Sequence, residues 1–493
     1  MVNASAAPAA GPRARWRMGR AGLGLAVALT IFLAALTSFA SAPARPAPSG
    51  EEPKETGPKA PIPAPVVADD PAIPLAEYRE RRQELVRRLR KLLAAGERGV
   101  FLWRSGRESV AEERFRPDPN FFYLTGFEEP DAAVLLSFDV AAYEETLLLS
   151  ARDPSQERWT GEKLGPGGTV AGSGDPDEER RKTMAATGFA AVAPADRLDR
   201  ILESRGGLPE AARFWLRHDS GGLAEEPTRE QRFLETVRLR FPKLHLADPS
   251  EDLARMRLVK SPAEIALIEK AVQITSRAHI EAMRQARHIR REYEVQGIVE
   301  GSFLKQGALG PSFFSIVGAG RNATILHYTR TRGPVAVGDL VLVDIGAEVG
   351  RYGADLTRTW PASGRFTARQ RELYEIVRKA QTDAASLIRP GATLQQIHAK
   401  AKEVLEAAGL AKYFPHGTSH YLGLEVHDPG AKDWPLPAGA VLTVEPGVYI
   451  PGEGIGIRIE DDYLVTVSGS RKLSAALPSE SGEIEKVASV SAP

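Results

Sequence analysis

The chain has 493 residues, 43% apolar and 26% charged, with 64 basic and 64 acidic side chains. That length suggests more than one domain and allows a sizeable core, and the even charge balance gives no preference for nucleic acid or anionic lipid. Cysteine is absent, which excludes disulfides, thiolate metal sites and a cysteine nucleophile.

Residues 1–42 carry Arg13, Arg15, Arg17 and Arg20, then an uncharged run from Ala21 to Leu36, then Ala40-Ser41-Ala42. A basic start, an apolar stretch and a small-x-small site describe a secretory signal peptide, so the chain is expected to be exported, periplasmic or secreted. The apolar run also approaches the length of a membrane span, which leaves an uncleaved anchor helix as the other reading. Residues 43–75 are rich in Pro, Ala and Glu and read as an extended tether.

Order is expected from Ala76. Leu85, Leu89, Leu92 and Leu93 share one helical face that Gly96 ends, and short apolar runs at Val100–Trp103, Ala133–Phe138 and Thr146–Ser150 read as strands. Residues 76–254 therefore form an α/β domain in this reading. Its aromatic segment Phe115–Phe127 is expected in core and turn. A second unit, 258–470, opens with Ser261-Pro-Ala-Glu264, a capping box with Pro at the first helical position. The device recurs at Thr367–Gln370 and Thr393–Gln396. Strand-like runs follow at Leu340–Ile345, Asp355–Trp360, Val441–Glu445 and Ile455–Thr466. Segregated helices and antiparallel-looking strands indicate α+β. Residues 471–493 read as a polar tail.

Five residues of the second unit have the setting of metal ligands. Asp344 lies inside the apolar run Leu340-Val-Leu-Val-Asp-Ile345, where a carboxylate is unfavourable unless neutralised. Asp355 opens the next strand, and Gly346, Gly350 and Gly353 between them fit a hairpin that sets the two acids side by side. His420, Glu445 and Glu460 complete the set, the two acids again on apolar strands. Singly, each has an ordinary explanation: a turn-forming Asp, a core His, or a Glu460 paired with Arg458. Together they make a formal charge of −4 that two divalent ions balance, and two such ions can share a hydroxide for amide or ester hydrolysis. Four oxygen donors and one imidazole suit Mn²⁺, Co²⁺ or Fe²⁺, and Zn²⁺ also fits; Mn²⁺ is the expected ion.

Six segments in this order resemble the pita-bread metallopeptidases, and specifically their aminopeptidase P and prolidase branch. They are Ile325–Thr329, Val343–Ala347, Ala354–Thr359, His416–His420, Val444–Tyr449 and Ile457–Asp461. The resemblance implies a catalytic pita-bread domain preceded by a smaller α/β domain, whose Phe-Tyr-Leu-Thr-Gly-Phe segment matches Phe122–Phe127. It implies that Asp355 and Glu460 touch both metals, and that His420 and Glu445 hold one. Glu445 would also act as acid/base, His327 and His427 would contact substrate and the tetrahedral intermediate, His416 would line the proline pocket, and Arg458 would stand beside the last ligand. The activity implied is hydrolysis between an N-terminal residue and a following proline, with peptides as partners and a homodimer or homotetramer as the assembly. Three other readings stay open: a prolidase restricted to Xaa-Pro dipeptides, a hydrolase of another ester or amide, and a non-catalytic peptide-binding module.

Overall fold

The alternating runs of the first unit build a six-stranded mixed sheet. The computed structural model describes residues 71–107, 115–167, 175–204, 207–219 and 226–489; the expected signal peptide and residues 43–70 of the tether lie outside them. Strands β1 (Gly99–Arg104), β2 (Ala133–Phe138), β3 (Tyr143–Leu149), β4 (Val192–Pro194), β5 (Arg213–Trp215) and β6 (His245–Ala247) lie in the order β4-β3-β2-β1-β5-β6. The β1-β2-β3 meander is antiparallel and the flanking pairs are parallel. Successive side chains point to opposite faces. Phe101, Trp103, Val134, Leu136 and Phe138 therefore face the main core, while Val100, Leu102 and Leu135 face a smaller one. The helix Leu75–Arg90 buries Leu85, Val86 and Leu89 on the main-core face. The aromatic segment is core, as expected: Pro119–Thr125 is a short helix capped by Asp118, with Phe121, Phe122 and Tyr123 buried.

The main core continues without a break into the second unit, and the two units expected at 76–254 and 258–470 share one compact body, Val67–Pro493. The helix Pro262–Arg284 starts at the Ser261–Glu264 capping box, and Ala368–Ala385 and Leu394–Ala407 start at the other two. Each such cap contributes roughly 1 kcal/mol by satisfying otherwise orphaned N–H groups. Strands β7 (Ile316–Ala319), β8 (Leu340–Ile345), β9 (Glu348–Val349), β10 (Tyr352–Gly353) and β11 (Leu356–Pro361) precede those helices; β12 (Val441–Val444), β13 (Gly447–Ile450), β14 (Ile455–Arg458), β15 (Asp461–Thr466) and β16 (Gly469–Lys472) follow them. Every pairing among β7–β16 is antiparallel. They form the sheets β11-β8-β7 and β12-β15-β16 and the pairs β9-β10 and β13-β14.

Two expectations need correction. The run Ile455–Thr466 is two strands in different sheets, because the chain crosses from β13 to β12 at Ile459-Glu460. There the Ile459 N–H donates to the Pro446 carbonyl at 3.4 Å and the Glu460 N–H to the Thr357 carbonyl at 3.1 Å. Nor is the segment after Lys472 a free tail as far as it is described. Leu477 is buried, and Ser481–Ser489 is a helix that lays Ile484 and Ala488 against the helix Pro262–Arg284. The i, i+4 spacing of those two residues in a short polar sequence was the available signal.

Candidate active site

Asp344 and Asp355 are brought together by the hairpin their intervening glycines suggested. β8 and β11 pair with Ile345 opposite Leu356 and Asp344 opposite Thr357. The tip turns at Gly350 and Arg351, both in the left-handed region (φ 53° and 73°). Gly346 lies so close to the opposite strand that a Cβ there would meet the Ala354 carbonyl at 1.8 Å. Only glycine lets the hairpin close beside the two acids. Glu445 follows β12, its N–H donating to the Thr418 carbonyl at 2.8 Å, and Glu460 occupies the crossover between β14 and β15.

All nine residues singled out in the sequence line one cavity of about 460 Å³: His327, Asp344, Asp355, His416, His420, His427, Glu445, Arg458 and Glu460. Within it, one donor atom each from Asp355, His420 and Glu460 lies within 4.8 Å of the others, a grouping able to hold a metal ion. Glu445 Oε1 is 3.7 Å from His420 Nε2. Asp344 is turned differently: Arg458, not Glu460's partner as the sequence allowed, donates to its Oδ2 at 2.5 Å. The second oxygens of Asp344 and Asp355 are buried without a hydrogen-bond partner. Buried carboxylate oxygens without a donor are costly, and a cation is the group that satisfies them. The donor set therefore fits divalent metal.

The electrostatics agree. Burial, then the charges of Glu460 and Asp344, push Asp355 well above the usual carboxylate range. Burial and Glu460 do the same to Glu445, and burial and Asp344 push Glu460 up to about 8. Burial, with His427 beside it, lowers His420 to about 4, so its imidazole is neutral at pH 7. Its Nδ1 lies 3.1 Å from the Tyr421 carbonyl and must donate there, which leaves the Nε2 lone pair aimed at the acids.

A second chain of hydrogen bonds runs along the wall. Arg458 donates to the Tyr449 hydroxyl at 2.8 Å, Tyr449 to His416 Nε2 at 2.9 Å, and His416 Nδ1 to the Gly417 carbonyl at 2.8 Å. Burial lowers His416 to about 4, the neutral form this sequence of donors requires. His327 and His427 are the exposed members, and the His427 ring stands edge-on to His420 with centroids 4.3 Å apart. Behind His427, Asp428 is buried between Arg257 (2.5 Å) and Lys260 (2.9 Å), which fixes the 421–428 turn that carries His427 and directly follows His420.

Sequence reasoning missed Thr357, Tyr449, Asp462 and Lys432. Thr357 donates to Glu460 Oε2 at 2.7 Å, and buried Asp462 accepts from the Asp355 N–H at 3.2 Å. Tyr449 and Thr357 lie within segments already read for their acids, so proximity in sequence was the one available signal.

Comparison with known proteins agrees with this geometry. Residues 266–467 match the model of metallopeptidase family M24, and residues 78–204 match the aminopeptidase P N-terminal domain. The Xaa-Pro aminopeptidase of Haemophilus influenzae is 36% identical over 403 residues, 76% of this chain and 88% of that one. The Escherichia coli Xaa-Pro aminopeptidase is 33% identical over 452 residues, 83% and 96% of the two chains. Among solved structures, zinc-substituted E. coli aminopeptidase P with product superposes with a TM-score of 0.72 at 30% identity, covering 84% of this chain and 98% of that one. Proline aminopeptidase P II from Yersinia pestis gives 0.71 at 30%, covering 85% and 100%. The chain belongs to metallopeptidase family M24, in its aminopeptidase P branch, and is a metal-dependent aminopeptidase of two-part architecture.

Proposed function

We propose that this protein removes the N-terminal residue from peptides whose second residue is proline. One observation carries the reading: a chain alignable along most of its length with Xaa-Pro aminopeptidases keeps five donor residues in one cavity, two of them, Asp344 and Asp355, with a buried oxygen that has no hydrogen-bond partner. Asp344, Asp355, His420, Glu445 and Glu460 would hold two divalent ions, with Mn²⁺ the expected metal. When bound, such a pair supplies a hydroxide at neutral pH and polarises a carbonyl.

The protein's own groups do the rest. Glu445, whose Oε1 lies 3.7 Å from His420 Nε2 in the cavity, takes a proton from the attacking water and returns it to the departing proline nitrogen. Histidines 327 and 427, exposed in the cavity, donate to the oxyanion as it develops, a contribution of roughly 2.7–4 kcal/mol per donor in comparable sites. His416, neutral and fixed by Tyr449, offers the proline ring a flat wall with no charge. Arg458 holds Asp344 and Tyr449 in place at once.

Hydrolysis of Ala-Pro-Ala, Ala-Pro and Ala-Ala-Ala with Mn²⁺, beside a chelated control, tests the assignment. Metal-dependent release of alanine from Ala-Pro-Ala and not from Ala-Ala-Ala is expected. Cleavage of Ala-Pro alone would make the enzyme a prolidase, and no cleavage at all would favour a binding module. Export belongs to the same proposal, supported by the basic start and apolar run of residues 13–36. N-terminal sequencing of the mature protein tests cleavage after Ala42, and light scattering tests the expected dimer or tetramer.

A further inference from the structure

Lys432 is a cation in the cleft with no assigned role. It lines the same cavity as the acid cluster and is exposed at its rim. Among the described residues it has no side-chain hydrogen bond or ion pair, whereas the other cation of the cavity, Arg458, is committed to Asp344, Tyr449 and Thr357. Its backbone is held from several sides. The Gln395 N–H donates to the Lys432 carbonyl at 3.3 Å, and the Tyr421 hydroxyl donates to the Ala431 carbonyl at 3.2 Å. Trp434 sits under the Arg255 guanidinium at 4.1 Å. Gly430 packs so tightly on Tyr421 that a Cβ there would meet the ring at 2.5 Å. From this fixed loop the ammonium reaches over Gly417: a Cβ there would lie 3.6 Å from Nζ, in ordinary contact with it.

Gly417 directly follows His416, so the ammonium stands beside the residue proposed to line the proline pocket, near enough to Glu445 for its charge to be felt there but bonded to no acid. A peptide advances about 3.3–3.6 Å per residue. One residue beyond proline, a short substrate ends in a carboxylate at the point where a long or amidated one has a neutral amide. We infer that Lys432 recognises the C-terminal carboxylate of short peptides, so that this enzyme, on the aminopeptidase reading above, acts preferentially on proline-containing fragments of about three residues.

The test compares kcat/KM for Ala-Pro-Ala and Ala-Pro-Ala-amide in the Mn²⁺-loaded enzyme and in Lys432→Met and Lys432→Arg. A partly exposed charge-assisted contact should give the wild type a preference of roughly 5-fold for the free acid, expressed in KM and fading with added salt. Lys432→Met should bring the ratio to about 1, and Lys432→Arg should keep it above that. Equal use of the two peptides by the wild type, or an undiminished preference in Lys432→Met, overturns the role of the lysine alone. Failure of the wild type to cleave either peptide overturns the aminopeptidase reading, and this inference with it.

Discussion

Glu460 and Asp461 are neighbours in the chain, both buried, and they live in opposite electrostatic worlds. Asp461 accepts from Arg358 at 2.6 Å, from Lys472 at 2.8 Å and from Ser474 and Gln381 as well. Burial pushes its pKa up, but Arg358 and Lys472 outweigh it and hold the group below the usual carboxylate range. Asp428 behaves likewise between Arg257 and Lys260. Glu460, Asp355 and Glu445 have mainly one another, and each is driven upward. Where an acid serves the scaffold, the fold supplies enough cation to hold it ionised; in the cleft Arg458 is bound to Asp344 and does not outweigh the burial and mutual repulsion of the remaining acids. The second group is therefore a site for cations from outside.

That contrast can be broken at either end. The largest effect is expected in the cleft: Glu445→Gln should lower kcat by about 10²–10⁴-fold, the usual worth of a general acid/base, while the protein stays folded by circular dichroism. Near-normal turnover would remove Glu445 from its role. On the scaffold side, Arg358→Met strands Asp461 without its main partner, and denaturant unfolding should show a loss of about 3–5 kcal/mol. A loss below ~1 kcal/mol would mean Lys472 alone neutralises that acid.

Chelation comes next. Metal at 100 times its Kd stabilises by about 2.7 kcal/mol, so calorimetry should show a lower Tm for the stripped protein. The stripped protein should also lose stability as pH rises. Glu460 keeps its proton up to about pH 8 when folded but releases it near 4.5 when unfolded. Across that window the native state binds more protons, and each step up in pH favours unfolding. The loaded protein, in which a cation replaces the proton, should lack this contribution; identical pH profiles for both forms would contradict the picture. The smallest effect is expected from Tyr449→Phe, which interrupts the Arg458–Tyr449–His416 chain. Of the two hydrogen bonds lost, the one to neutral His416 bears on the substrate wall and contributes about 0.5–1.5 kcal/mol, so kcat/KM should fall about 2- to 13-fold. A change of several hundredfold would give the tyrosine a direct part in catalysis.

The acids were legible in the sequence as a set: each has an ordinary explanation singly, but several carboxylates in or at the ends of apolar strands each demand one. The three capping boxes and the Leu340–Ile345 strand were legible too, since their signals are local. What escaped depends on partners distant in sequence. Nothing near Arg458 says that it turns to Asp344, 114 residues away, and not to Glu460. Asp462 looks like a third acid in a row until the fold buries it against the Asp355 N–H. The break at Ile459-Glu460 is invisible because both halves are buried extended chain that differs in the sheet it joins. Lys432 reads as a surface residue, and only the loop that carries it over Gly417 gives it a view of the cleft.

Metal stoichiometry tests the contrast most directly. Purified protein, stripped and titrated with Mn²⁺ at neutral pH, should bind two ions per chain, and Asp355→Asn should lose at least one of them while remaining folded. Binding of no ion by the wild type, or of two by Asp355→Asn with unchanged affinity, would contradict the claim that this cluster is left uncompensated in order to hold metal.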